Sequence, residues 1–176
     1  MKTKNTMQFL VLKKKLEKSS HIKITVDGIS MLSQLMPGDI VKIKNSNQYS
    51  IGDILVFEYE DEGLKIHRLL KVKNEKYYCK GDNSFRLECI NKNQVVGKVV
   101  EIQRANNNIS LLSTDCLFIE TALKVSREFV MTGYNHQKVI ESDIYNRYKK
   151  FYEEGFFGPV SCQSVFVMGH TFKIAV

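Results

Sequence analysis

The sequence predicts a mainly β domain followed by an α-helical extension. Before residue 105, short segments in which apolar and polar residues alternate are separated by Gly, Asn and Asp turns, which is the pattern of half-buried strands. After that point, apolar residues recur at helical spacing instead. A length of 176 residues with 43% hydrophobic content suits one compact domain with an appendage.

The N-terminal region is predicted to be a basic helix or arm over residues 1–20, with the helix itself over 7–18. The chain carries a net charge of +7, and residues 1–20 hold six Lys against one Glu, a charge of +5. Peripheral contact with acidic lipid, nucleic acid or an acidic peptide is one interpretation of this charge. A solvated helix face is the favoured one. Since the chain has no helix-turn-helix signal, no stable nucleic-acid partner is expected.

The next region, residues 21–104, is predicted to form the sheet. Its first strand is indicated by the strict alternation of residues 21–26. The predicted strands cover residues 21–28, 39–45, 53–60, 64–74, 76–80 and 94–103. The polar run Ala105-Asn106-Asn107-Asn108 is interpreted as the domain boundary.

Two helices are predicted beyond this boundary, over residues 114–131 and 136–154, and short strands over 160–168 and 170–176 complete the extension 105–176. We expect the helices to pack on the sheet. A substrate-recognition or dimerisation element is the second interpretation, and the sequence leaves the oligomeric state open.

Several short motifs follow one another through the β region, and their order carries more information than any one of them. Alone, each is an ordinary turn or surface feature, and the Asp residues after Gly38 and Gly52 are assigned to turns. The series consists of Ser30-Met31, Leu35-Met36-Pro37-Gly38-Asp39, Gly52-Asp53, His67-Arg68 and Lys80-Gly81-Asp82-Asn83.

These residue types support nucleophilic catalysis. A serine hydroxyl such as Ser30 needs a base to take its proton, and His67 can act as that base at neutral pH. An acid on the other ring nitrogen would fix the histidine tautomer, and both Glu88 and Asp82 are candidates. His67 and Arg68 are neighbours on a strand, so only one of them can face the site.

The motif series resembles the signal-peptidase superfamily of serine peptidases, which includes type I signal peptidases and self-cleaving SOS-type repressors. The resemblance covers residues 22–104 and implies their complex β fold. It also implies that Ser30 is the nucleophile, in a turn where Gly28, Ser30 and Met31 form the surroundings of the oxyanion site. His67 stands where archaeal, endoplasmic-reticulum and spore-type enzymes carry His. Bacterial enzymes and repressors carry Lys there. In the His subtype the acid falls at Glu88.

The chain lacks features that membrane-bound relatives have. No apolar run approaches the roughly 18–20 residues that a membrane span requires, and no secretory signal is apparent. We therefore expect a soluble, cytoplasmic form without a transmembrane anchor. The four cysteines show no metal-type spacing, so reduced, mostly buried thiols are expected, with no metal and no cofactor.

Three functions fit this sequence. The first is a soluble serine endopeptidase whose partner is a peptide or protein substrate, cleaved at a leader, propeptide or signal-like segment. The second is a self-cleaving SOS-type regulator, which is disfavoured by His67 and by the lack of a linker cleavage site. The third is a non-catalytic peptide-binding module on a degenerate peptidase fold, which is favoured by Gly28, Ser33 and Glu88, where the family pattern differs.

Overall fold

A computed structural model of the chain describes residues 4–32, 34–109, 111 and 116–153. The strands in these residues are β1 (Ile22–Thr25), β2 (Ile40–Lys44), β3 (Ile54–Tyr59), β4 (Gly63–Lys73), β5 (Lys76–Lys80), β6 (Glu88–Asn91), β7 (Val95–Arg104) and β8 (Asn107–Ile109). The α-helices are α1 (Lys4–Lys18), α2 (Cys116–Met131), α3 (His136–Ile140) and α4 (Asp143–Glu153). The predicted fold class, mainly β with a helical extension, is confirmed.

All the strands join one antiparallel sheet in the order β1-β2-β7-β3-β4-β5-β6, with β8 also paired to β7. The long strand β4 lies between β3 and β5, and its residues 63–70 are all buried. One of its faces contributes Leu64 and Ile66 to the cluster beneath α1, and the other contributes Leu69 to a separate cluster. A strand covered on both faces can hold a polar side chain away from water.

Helix α1 is part of the core. Its Phe9, Leu12 and Leu16 recur at helical spacing and are buried in the largest apolar cluster of the sheet. The helix comes close to β7 at Gly97, where a Cβ would stand 2.6 Å from the Lys44 carbonyl oxygen and 3.1 Å from Leu16 Cδ2. The basic N-terminal helix is thus anchored by its apolar face, while most of its lysines lie on the exposed side.

Helices α2, α3 and α4 form a layer against the sheet. Leu70 of β4 and Phe85, in the loop between β5 and β6, enter the same cluster as these helices. The buried helical side chains of this cluster are Phe118, Ile119, Ala122, Val125, Phe129, Val139, Tyr145 and Tyr148. The helices therefore cover the part of the sheet where β4 and β5 end.

The structure differs from the sequence prediction at several element boundaries. The segment predicted as a boundary at 105–108 is a hairpin, because Ala105 and Asn106 adopt positive φ and return the chain to the sheet as β8. The helix predicted over 136–154 is two helices, since the Ser142 hydroxyl accepts a hydrogen bond from the backbone N–H of Tyr145. The strands predicted over 160–168 and 170–176 lie outside the described residues.

The cysteines are less buried than expected. Among the described residues, Cys79 is a buried free thiol, whereas Cys89 and Cys116 are exposed free thiols. The expectation of mostly buried thiols was wrong for these two, because Cys89 faces outward on β6 and Cys116 begins α2. In the part of the chain that the structure describes, the helices are too short or too polar to cross a membrane.

Candidate active site

Ser30 lies in a turn that leaves the sheet after β1. Two backbone hydrogen bonds shape this turn, from Leu32 to the Ile29 carbonyl (3.1 Å) and from Leu35 to the Met31 carbonyl (2.8 Å). The Met31 side chain is buried, and its sulfur accepts a hydrogen bond from the backbone N–H of Asp82 (3.3 Å). The buried Met31 side chain therefore anchors the turn, while Ser30 stays only half-buried.

His67 lies on β4 and contacts Ser30 through one ring nitrogen. Its Nε2 is 2.9 Å from Ser30 Oγ, and its Nδ1 is 2.9 Å from Glu88 Oε2 on β6. The Phe57 ring lies edge-on to the imidazole, with centroids 6.0 Å apart. His67 is 4% exposed and Glu88 is 1% exposed, so water has little access to the hydrogen bond between them, whereas the one to Ser30 is only partly buried.

This order of contacts determines the proton positions. A carboxylate at Glu88 only accepts hydrogen bonds, so it favours the tautomer of His67 with the proton on Nδ1. Nε2 is then an acceptor, and the Ser30 hydroxyl donates to it. The three side chains can thus move a proton from Ser30 Oγ to the ring and stabilise the imidazolium that results.

Glu88 is also connected to a charged network. Lys65, two residues before His67 on β4, has its Nζ 4.0 Å from Glu88 Oε1 and 2.6 Å from Glu62 Oε2. Arg86 continues the network, with Nη1 2.8 Å from Glu62 Oε1. The cation of Lys65 offsets the cost of burying the Glu88 carboxylate, because a buried charge needs charged or hydrogen-bonding partners.

Asp82, the other candidate acid, serves a different partner. Its two carboxylate oxygens accept hydrogen bonds from Arg68 Nε (2.9 Å) and Nη2 (2.7 Å), and both side chains are almost fully buried. Arg68 also donates to the Gly52 carbonyl and packs on the Phe118 ring. Orientation of His67 by Asp82 is therefore not the arrangement in the structure, because its carboxylate neutralises Arg68 on the other face of β4.

The turn after β5 packs directly on the Ser30 turn. The backbone N–H of Asn83 donates to the Ser30 carbonyl (2.7 Å), and Asn83 Nδ2 donates to the Ile29 carbonyl (3.1 Å). At Gly81 an added Cβ would lie 2.5 Å from the Ser30 carbonyl oxygen and 3.0 Å from His67 Nε2. Gly81-Asp82-Asn83 belongs to the motif series, but the sequence predicts neither Gly81 nor Asn83 as a site residue. A Gly directly after a strand was the available signal.

We expect Gly81→Ala to disrupt the site more than the fold. The new methyl group meets backbone at Ser30, so the turn must shift, at a cost of about 1–3 kcal/mol in free energy of unfolding. A displacement of about 1 Å between Ser30 and His67 should lower kcat about 100-fold. Peptide cleavage and urea unfolding measure the two effects. Gly38→Ala is the control for lost stability without crowding of the site: its φ of +90° strains any side chain, but a Cβ there meets no heavy atom within 4 Å, so its kcat should stay near wild type. Equal kcat for the two variants would contradict this account of the turn.

Lys80 is buried beside the same turn. Its Nζ donates to the Gly81 carbonyl (3.2 Å) and to the Tyr148 hydroxyl (2.9 Å), and lies 4.3 Å from the Tyr148 ring centroid. Burial lowers the pKa of Lys80 from an ordinary 10.5 to about 7. Between these two pH values the unfolded chain binds more protons than the folded chain, so the free energy of unfolding rises with pH. Below pH 7 the folded protein carries Lys80 in its charged form, so the full cost of burying that charge lowers the free energy of unfolding.

This linkage gives a prediction for Lys80→Met. The stability of the variant relative to wild type should fall by about 1.4 kcal/mol per pH unit over the range in which only the unfolded Lys80 is protonated. Urea unfolding at about pH 7.5, 8.5 and 9.5 measures it. Lys76→Met, an exposed position on the same strand, is the control and should show no such slope. Parallel stability curves for wild type and Lys80→Met would show that Lys80 stays protonated when folded.

The predicted oxyanion residues are placed near Ser30. Gly28 is half-buried in the irregular segment between β1 and Ser30. Among the described residues the backbone N–H of Ser30 has no hydrogen-bond acceptor, so it is available to a ligand. Met31 anchors the Ser30 turn, because its sulfur accepts the hydrogen bond from the backbone N–H of Asp82. Ser33 lies outside the described residues, and the described residues contain no cluster of three side chains that could bind a metal.

Comparison with known proteins identifies the family of the chain. A family model described as Peptidase S24-like matches residues 2–100, which is more than half of the chain and includes α1 through most of β7. A search of curated proteins finds no match. The family generally consists of serine peptidases and also has non-catalytic members. It supports the superfamily of signal peptidases and SOS-type repressors, whereas the His subtype stays a prediction. The chain belongs to the Peptidase S24-like family.

Proposed function

We propose that this protein is a serine endopeptidase in which Ser30 attacks the scissile carbonyl and His67 acts as general base. The observation that carries the proposal is the unbroken series of hydrogen bonds from Ser30 Oγ through His67 to Glu88, with both distances 2.9 Å. A degenerate site has no need to keep a buried carboxylate aligned on a buried histidine, because each buried polar group costs free energy. The alignment therefore supports catalysis over a binding role.

The reaction proceeds in two stages. Ser30 Oγ forms a bond to the carbonyl carbon while its proton passes to His67 Nε2, and the free N–H of Ser30 supports the oxyanion. The C–N bond then breaks, and His67 returns the proton to the leaving amine. In the second stage a water molecule, activated by His67, attacks the acyl ester and releases Ser30. Glu88 stabilises the imidazolium in both stages.

The substrate class we propose is a leader, propeptide or signal-like segment in extended conformation. In the described part of the chain, β1 pairs with β2 on one side only, so its other edge offers free backbone groups just before Ser30. An extended peptide can add to such an edge and present alternate side chains to pockets. Small residues before the cut are expected from the family likeness. The free thiols among the described cysteines support a cytoplasmic location.

The test is cleavage of a diverse peptide mixture by wild type and by Ser30→Ala near pH 8, with fragments read by mass spectrometry. The proposal predicts fragments that appear with wild type alone and share a pattern around the cut. Circular dichroism of both proteins controls for folding. Identical fragments from the two proteins would point to a contaminating peptidase, and no fragments from either would favour the non-catalytic binding module.

Self-cleavage is the second candidate, because membership of the Peptidase S24-like family favours it. Intact mass after prolonged incubation at alkaline pH distinguishes the two. A stable full-length chain that cleaves added peptides supports the endopeptidase. Shortening of wild type but not of Ser30→Ala supports the self-cleaving regulator. His67, where repressors carry Lys, makes us favour the first.

A further inference from the structure

One buried hydroxyl connects the helical extension to the site. Tyr148 of α4 is fully buried, and its O–H donates to the Asp82 carbonyl (2.8 Å). The same oxygen accepts a hydrogen bond from Lys80 Nζ (2.9 Å). Tyr148 thus links Lys80, the last residue of β5, to Asp82 in the turn that follows, although it lies 66 residues beyond Asp82 in the sequence.

The turn that Tyr148 holds is the one that contacts Ser30 and His67. Gly81, between the two residues bound by Tyr148, leaves no space for a Cβ beside His67 Nε2. Asn83, next in the chain, donates its backbone N–H to the Ser30 carbonyl. A displacement of Asp82 would therefore shift its neighbours Gly81 and Asn83, which contact His67 and Ser30.

Packing alone does not account for a tyrosine at this position. The ring lies among aromatic neighbours, with the Phe118 centroid at 5.4 Å, and a phenylalanine would fill the same volume. Burying a hydroxyl costs free energy unless its hydrogen bonds are made, and here one is made with Lys80 at the end of β5 and one with Asp82 in the turn that follows. The Tyr148 hydroxyl therefore serves to hold Lys80 and Asp82, and its role depends on what the turn containing Asp82 supports.

We propose that Tyr148 is a positioning residue for the Ser30–His67 pair, so that α2–α4 act as a structural support of the active site. The inference rests on the proposed peptidase function. Because Tyr148 lies outside residues 2–100, the support is a feature that the family match does not contain. A support of this kind acts on the reacting geometry and not on the binding of substrate at β1.

The test compares Tyr148→Phe with Thr121→Val. Thr121 is also buried in the helical layer, but its hydroxyl donates to the Leu117 carbonyl within α2, so it controls for loss of a buried hydroxyl. We expect Tyr148→Phe to lower kcat about 10-fold with little change in KM, because misplacement of reacting groups acts on kcat. Thr121→Val should keep both constants. If Tyr148→Phe does not fold, Lys80→Met removes the hydrogen bond that the Tyr148 hydroxyl accepts, together with the bond from Lys80 to the Gly81 carbonyl, and its kcat should also fall.

A second readout needs no activity. Proton NMR should show a shifted His67 Nδ1–H signal and a shifted Asn83 amide signal in Tyr148→Phe but not in Thr121→Val. If both signals and kcat match those of the control, Tyr148 does not position the site. If wild type cleaves no peptide yet the two signals shift, the peptidase proposal fails and the positioning of the Ser30–His67 pair stands.

Discussion

Glu88→Gln should lower kcat by about 10³- to 10⁴-fold while the protein stays folded. Glutamine has the same shape but no negative charge, and its amide can donate to Nδ1 of His67 and so favour the wrong tautomer. The imidazolium formed during attack then also lacks its counter-charge, a loss for which effects of about 10⁴ are typical. Steady-state cleavage of one peptide measures the effect.

Two further variants define what this result means. Glu88→Asp keeps the charge but shortens the side chain, so its kcat should fall between wild type and Glu88→Gln. Glu101→Gln is the matched control. Glu101 lies on β7 and is the partly exposed ion-pair partner of Lys42 on β2, so its substitution should leave kcat unchanged. Wild-type kcat in Glu88→Gln would show that Glu88 does not orient His67.

Asp82→Asn should have its main effect on stability. It leaves the guanidinium of Arg68, which is 1% exposed, without its carboxylate. Breaking a buried ion pair from one side typically costs about 3–5 kcal/mol, because a buried charge remains uncompensated. We expect a loss of this size in the free energy of unfolding, measured by urea titration with the m-value unchanged.

Asp53→Asn is the control for this prediction. Asp53 also follows a Gly and pairs with a Lys, Lys98, at 3.1 Å, but both partners are partly exposed. A partly exposed pair typically contributes about 1 kcal/mol or less. An Asp82→Asn protein as stable as wild type but inactive in cleavage would instead assign the catalytic acid to Asp82.

The sequence was sufficient for the fold class because most elements had a local signal. The alternation before residue 105 and the helical spacing after it both correspond to observed elements. The sequence does not predict β6, because its four residues, Glu88–Asn91, include a single β-branched residue and no clear alternation of apolar and polar groups. The break after α3 does have a local signal, the pair Ser142-Asp143, which is suited to capping.

The candidate site was only partly predictable. Ser30, His67 and Glu88 were proposed from motif order, and the structure brings them within hydrogen-bond distance. The choice between the two acids could not be made from sequence, because it depends on which face of β4 each acid meets. Tyr148 could not be predicted either, since its contact with Asp82 spans 66 residues and arises from helix packing on the sheet.

The most direct test of the account is kcat/KM for wild type and Ser30→Ala on a single peptide that wild type cleaves. The account predicts that Ser30→Ala falls by at least about 10³-fold, because the nucleophile and its proton transfer to His67 are both lost. Thermal unfolding of both proteins should be nearly the same, since Ser30 is only half-buried. A Ser30→Ala protein that retains a tenth or more of wild-type kcat/KM would contradict the assignment of Ser30 as the nucleophile.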